Sequence, residues 1–175
     1  MSWQKDYQYG TLLLLPPPQV MQIVNSLRQQ YDPQSHKICV AHITLTQPLI
    51  KEISTDELNL IEKIISQFSQ FEIQYGPISN LSQTCIIFQI APKKVILTLR
   101  EKLHQTGFFN LNLPFTEGFI PHMTVSEMGI ANNDSVIRKL NQKFPVSTYH
   151  QEAVTLMKPN HQFVFKTVRN FNLKR

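Results

Sequence analysis

Two short stretches of this 175-residue chain repeat one pattern, AHITLTQ at 41–47 and PHMTVSE at 121–127. Each holds a histidine followed two residues later by a threonine: His42 with Thr44, and His122 with Thr124. An imidazole titrates near neutral pH, with an ordinary pKa of about 6.5, so it serves as base in one step and acid in another. Two of them on opposite sides of a phosphorus would take a proton from the attacking oxygen and return one to the leaving oxygen. Each such role is worth roughly 10²- to 10⁴-fold in rate. The threonine hydroxyls supply hydrogen bonds to the non-bridging phosphate oxygens, where charge must be held during in-line displacement. The scheme calls for no metal and no cofactor.

A single His-x-Thr reads as a half-exposed strand with an incidental histidine. Side chains alternate faces along a strand, so His42, Thr44 and Thr46 form one stripe while Ile43 and Leu45 form the other. His122, Thr124 and Ser126 repeat the arrangement against Met123 and Val125. Two copies at matching places in an internal repeat carry more weight, because a two-fold arrangement of halves would turn both polar stripes to one cleft.

The elements that must position these residues recur in the same order twice. The run 9–16 (YGTLLLLP) reads as a buried strand stopped by prolines. Val20, Ile23, Val24, Leu27 and Tyr31 then form a helical stripe, closed by Asp-Pro at 32–33. Residues 36–46 are rich in β-branched side chains and read as a strand carrying the first motif. Ser54 and Glu57 have capping-box spacing ahead of a helix with Leu58, Ile61, Ile64, Ile65 and Phe68 on its buried side. A strand interrupted by Gly76 and Pro77 follows at 71–81. The second round gives a strand at 84–92, a helix from 93 to Gly107, a strand at 118–128 with the second motif, a helix at 133–144, and closing strands at 146–158 and 162–173.

This pattern predicts an α+β protein of two pseudo-symmetric lobes, each a mainly antiparallel β-sheet flanked by helices, around a central cleft. It is read as one domain over 1–175, with a first pseudo-repeat at about 7–81 and a second at about 83–173.

Composition places limits on function. Hydrophobic residues at 42% and charged residues at 17% describe an ordinary globular chain. The formal charge of +5 favours a phosphate-bearing partner, yet no run of five like charges marks a nucleic-acid-binding tail. Cys39 and Cys85 fit neither a disulfide framework nor a Cys-x-x-Cys metal signature, and GTLLLLPPP is too short for a signal core or a membrane span. The expectation is a cytoplasmic monomer with no membrane association.

Other constellations fit less well. In HKICVAH, a strand would point Cys39 away from His36 and His42, which disfavours a zinc site. There is no G-x-S-x-G, Walker loop or G-x-G-x-x-G. His104, His150 and His161 read as structural.

The paired HITL and HMTV motifs resemble those of the 2H phosphoesterase superfamily, and within it the 2'-5' RNA ligase-like proteins. The resemblance runs from YGTLLLLP to FVFKTVRNFNL. It implies metal-independent chemistry on 2',3'-cyclic phosphates or 2'-5' linkages of RNA or nucleotides, with RNA ends or nucleotides as partners and His42, Thr44, His122 and Thr124 as the site. It suggests His122 as base and His42 as acid, roles that reversal of the reaction would exchange. The second motif keeps the proline that commonly precedes the histidine in that family, Pro121, whereas the first has Ala41. Lys158 as a phosphate contact, and Tyr9, Phe119 and Phe165 as base-stacking residues, stay outside the firm site. A binding module using the same cleft without turnover is the alternative.

Overall fold

The computed structural model describes residues 2–82, 84–114, 116–127, 130 and 133–175. Eight strands form one curled antiparallel sheet in the order β6-β3-β4-β5-β2-β1-β7-β8. They are β1 (Thr11–Leu14), β2 (Ile43–Thr44), β3 (Phe71–Asn80), β4 (Ile86–Ala91), β5 (His122–Ser126), β6 (Ser147–Gln151), β7 (Ala153–Pro159) and β8 (Phe165–Asn172). The helices are α1 (Pro18–Tyr31), α2 (Pro33–Ile38), α3 (Thr55–Ile65), α4 (Lys93–His104) and α5 (Asn133–Lys143).

The strand order reads the same from both ends once the two rounds of the chain are superposed. The first strands of the rounds, β1 and β4, flank the motif strands β2 and β5, which lie together at the centre. Strand β3 of the first round pairs with β4, and β7 of the second pairs with β1. Each half therefore lends a strand to the other, and the lobes share one sheet and one core.

One face of that sheet is the core. Leu12, Leu14, Ile43, Phe88, Met123, Val125 and Phe171 pack there with Val24 of α1, Ile61 and Ile65 of α3, and Ile96, Leu99 and Leu103 of α4. Burial alternates along β5, with Met123 and Val125 at 0% exposure and His122 and Thr124 half-buried between them. A smaller cluster of Leu13, Cys39, Met157 and Phe165 covers part of the opposite face.

Local signals place most of these elements where expected. The Ser54 and Glu57 capping box forms at α3, with Ser54 Oγ accepting from the Glu57 amide and Glu57 Oε2 accepting from the Ser54 amide. Gly10 enters β1 at φ 95°, and a Cβ there would stand 2.4 Å from the Met157 carbonyl oxygen, so only glycine fits the approach.

Two expectations are corrected. Residues 36–46 are not one strand: Pro33–Ile38 form α2, residues 39–42 are irregular, and β2 is only Ile43–Thr44. The Asp-Pro pair that ends α1 also starts α2. The Asp32 carboxylate accepts from the Ser35 amide at 3.1 Å, and Pro33 takes a first-turn position where its missing N–H costs nothing. The run at 146–158 is likewise two strands, because Glu152 separates β6, which pairs with β3 at one side of the sheet, from β7, which pairs with β1. Residue 128, the end of the expected 118–128 strand, lies outside the described residues.

Candidate active site

The motif strands meet directly. Ile43 lies opposite Met123 in the antiparallel β2/β5 pair. Continuing that register by one residue in each direction sets His42 against Thr124 and Thr44 against His122. Directly opposed residues of an antiparallel pair share a face, with Cβ atoms roughly 4.5–5.5 Å apart. All four side chains therefore rise from the face opposite the core, and each histidine neighbours the threonine of the other motif.

The imidazoles are oriented alike. His42 Nδ1 lies 2.6 Å from the Val40 carbonyl oxygen, and His122 Nδ1 lies 2.7 Å from that of Ile120. A carbonyl only accepts, so both Nδ1 atoms carry a proton, and Nε2 is the remaining titrating atom of each ring. Each anchoring carbonyl lies two residues before its histidine, so the local two-fold repeats to the level of the tautomer.

Electrostatics separates the two. Burial, the nearby Arg28 guanidinium and His122 push His42 down to about 4. His122 is lowered by burial as well, and its bond to Ile120 opposes that shift. His42 is accordingly neutral throughout the physiological range.

A cavity of about 140 Å3 opens beside the first motif, with His42, Thr44, Arg28, Glu127, Tyr7 and Phe165 among its walls. Tyr7 and Phe165 meet edge to face at 6.2 Å. On the other side, the Phe119 ring lies 6.5 Å from His122 and carries the Arg100 guanidinium 4.1 Å above its centre. Two of the three aromatic residues singled out from the sequence, Phe119 and Phe165, thus flank the histidines, whereas Tyr9 packs on the main core. Lys158 forms an ion pair with Glu52 at 2.7 Å.

The third residue of each polar stripe is structural. Thr46 is fully buried, and its hydroxyl accepts from the Leu12 amide at 3.1 Å. Ser126 is also fully buried, its hydroxyl directed at the Tyr31 carbonyl at 3.4 Å. Among the described residues no three His, Cys, Asp or Glu side chains converge as metal ligands. Cys39 is buried, and burial pushes its thiol up to about 12, which leaves it protonated and a poor nucleophile. His104 accepts from the Gln47 amide at 3.0 Å, a structural role as expected.

Sequence reasoning missed two buried arginines. Arg28 of α1 donates to the Thr124 carbonyl in the second motif at 3.0 Å, and Arg100 of α4 donates to the Leu45 carbonyl beside the first motif at 2.7 Å. Each half's helix thus holds the motif strand of the other half. The signal was present in spacing: Val20, Val24 and Arg28 recur every fourth residue, so a cation occupies a position on the buried stripe.

This single sheet wrapped around two paired motif strands is the LigT-like fold. The chain aligns with E. coli LigT crystallised with 3'-AMP at a TM-score of 0.59 and 13% identity, covering 97% of this chain and 99% of that one. It matches LigT complexed with NADP+ at 0.59 and 13% identity over 96% and 99% of the two chains. A Thermus thermophilus protein aligns at 0.58 and 13% identity, over 94% and 97%. A model of the 2'-5' RNA ligase superfamily matches residues 16–162, and the chain belongs to that superfamily. A Bacillus licheniformis protein described as a "Putative phosphoesterase" is 26% identical over 131 residues, 69% of this chain and 70% of the relative.

Proposed function

We propose that this protein is a phosphoesterase acting on 2',3'-cyclic phosphates or 2'-5' phosphodiester linkages of RNA or nucleotides, with His42 and His122 as its acid/base pair and Thr44 and Thr124 as its phosphate donors. The observation that carries the reading is the matched pair of imidazoles. Each is fixed through Nδ1 to a backbone carbonyl, offers Nε2, and stands beside a threonine of the opposing motif. The solved LigT structures, complexed with 3'-AMP and with NADP+, support a nucleotide as the class of ligand.

In the hydrolytic direction one Nε2 takes a proton from water as its oxygen bonds to phosphorus. The phosphorus–oxygen bond to the ribose breaks, and the other imidazole delivers a proton to that ribose oxygen. A ring that is neutral at neutral pH is free to accept a proton, and His42 meets that condition; with His42 as base, the reverse of the assignment that the family resemblance suggests, His122 enters the step protonated on Nε2 and acts as the acid. Thr44 and Thr124 donate to the non-bridging oxygens, whose charge must be stabilised most in the transition state. Water and the protonated imidazole supply the two protons that move, so the scheme calls for no metal.

Purified protein incubated with nucleoside 2',3'-cyclic phosphates, with and without EDTA, tests this reading. Turnover that resists EDTA and is lost in His42→Ala and in His122→Ala supports it. Absence of turnover on cyclic mononucleotides, cyclic-phosphate-ended RNA and 2'-5' oligonucleotides overturns it.

A further inference from the structure

The segment that delivers His42 has almost no sheet to hold it. Strand β2 is two residues long, and residues 39–42 lie outside it. The second motif is better supported, since His122, Met123, Thr124 and Ser126 pair with β4 and Pro121 precedes the histidine. In place of a strand, the first motif rests on two side chains of α1. Asn25 Oδ1 accepts from the Ala41 amide at 2.7 Å. Arg28, 3% exposed, donates through Nη2 to the Cys39 carbonyl at 3.2 Å and the Ser35 carbonyl at 3.0 Å, and through Nη1 to the Thr124 carbonyl at 3.0 Å.

These bonds bracket the peptide that orients the imidazole. Cys39 and Ala41 lie on either side of Val40, whose carbonyl accepts from His42 Nδ1. The same guanidinium holds the backbone of Thr124, the residue facing His42 across the strand pair. The Asn25 bond also gives a physical reason for the departure at Ala41: proline has no N–H to donate, so a proline there would cancel the contact.

We propose that Asn25 and Arg28 are positioning residues for the catalytic pair, fixing the Val40 carbonyl and the Thr124 backbone so that the His42 and His122 Nε2 atoms address one phosphate. The inference rests on the phosphoesterase reading for its effect on rate, and on geometry alone for its effect on His42. A guanidinium suits the task because its planar fork reaches several carbonyls at once, whereas a lysine ammonium offers a point charge on a flexible stem. Displacement of a catalytic group by about 1 Å costs on the order of 10²-fold in rate.

The test uses Asn25→Leu, Asn25→Asp, Arg28→Met and Arg28→Lys, with folding confirmed by circular dichroism and two readouts. The first is turnover of a 2',3'-cyclic nucleotide. Asn25→Leu and Arg28→Met are expected to lower kcat by on the order of 10²-fold with little change in KM. Asn25→Asp, which keeps the acceptor for Ala41, recovers most of the loss, and Arg28→Lys, which cannot span three carbonyls, does not. The second readout is the His42 Nδ1–H resonance in ligand-free protein, assigned by its absence in His42→Gln. It is expected to shift or broaden in Asn25→Leu and return in Asn25→Asp. Folded Asn25→Leu and Arg28→Met proteins with wild-type kcat and an unmoved resonance overturn the proposal. If the wild-type protein turns over no phosphodiester, the proposed function fails while the resonance still decides whether these residues position His42. Should Arg28→Met fail to fold, the Asn25 pair of variants decides alone.

Discussion

Ile43 of β2 lies opposite Met123 of β5, and both side chains are fully buried on the core face beneath the four polar residues of the two motifs. The chemistry above and the core below are thus joined through one cross-strand pair. Truncation of Met123 to alanine is expected to destabilise the fold by about 2–5 kcal/mol, and Ile43→Val by about 0.5–1.5 kcal/mol, from lost burial and an unfilled cavity. Urea unfolding measures both, and an effect under about 0.5 kcal/mol for Met123→Ala would remove the pair from the centre of the core.

On the proposed mechanism, removal of either imidazole takes away one proton-transfer group and leaves the fold's apolar face intact. His42→Ala and His122→Ala should each lower kcat by roughly 10²- to 10⁴-fold on a cyclic phosphate. The double variant should cost far less than the product of the two losses, because the groups act as a unit. Single-turnover rates across the four proteins give the comparison, and multiplicative losses would count against a shared phosphate.

Thr44 and Thr124 are assigned to charge stabilisation, which predicts a different signature. Valine in place of either keeps the shape and removes the donor. A loss of roughly 10²- to 10³-fold in kcat, with KM little changed, is expected for each, in the range of other oxyanion donors. An effect confined to KM would mean that the hydroxyls bind ground state and transition state alike.

Thr46 separates stripe from site. It shares the sequence pattern with His42 and Thr44, but its hydroxyl accepts from the Leu12 amide in a fully buried position. Thr46→Val leaves that amide without its partner and should cost about 1–3 kcal/mol of stability. Turnover per folded molecule should stay at the wild-type level, and a kcat loss like that of Thr44→Val would return Thr46 to the catalytic group.

This contrast shows where sequence was legible. Periodicity located α1, α3, α4 and α5 because burial of one face dictates it, α2 went unread, and repetition singled out His42, Thr44, His122 and Thr124 as candidates. Alternation failed past Thr44 because β2 stops there and the chain turns Thr46 inward toward β1. The strand read over 36–46 failed because Asp32 and Pro33 make a better helix start than β-branched residues make a strand. Arg28 escaped notice because an arginine on a helix reads as solvated unless its position on the buried stripe is weighed. Its acceptors, carbonyls of Ser35, Cys39 and Thr124, come together only when the chain folds.

The environment of His42 makes stability depend on pH. Burial, then Arg28 and His122, lower its pKa from 6.5 to about 4. Between those values the unfolded chain takes up a proton that the folded chain refuses. Above a pH of about 6.5 the ring is neutral in both states and the contribution is constant, whereas stability falls as pH drops from there toward about 4. His104, lowered to about 4 by burial and Arg100, acts in the same direction. Melting temperatures at pH values of about 7.5, 5.5 and 4.5 should therefore decline, and the decline should be smaller in His42→Gln, which removes one of the three rings whose pKa burial lowers, His42, His104 and His122. An equal decline in both proteins would show that His42 titrates normally in the fold. NMR titration of the ring gives the direct check, since a midpoint near the ordinary value of about 6.5 would also remove the reason for assigning His42 as the base.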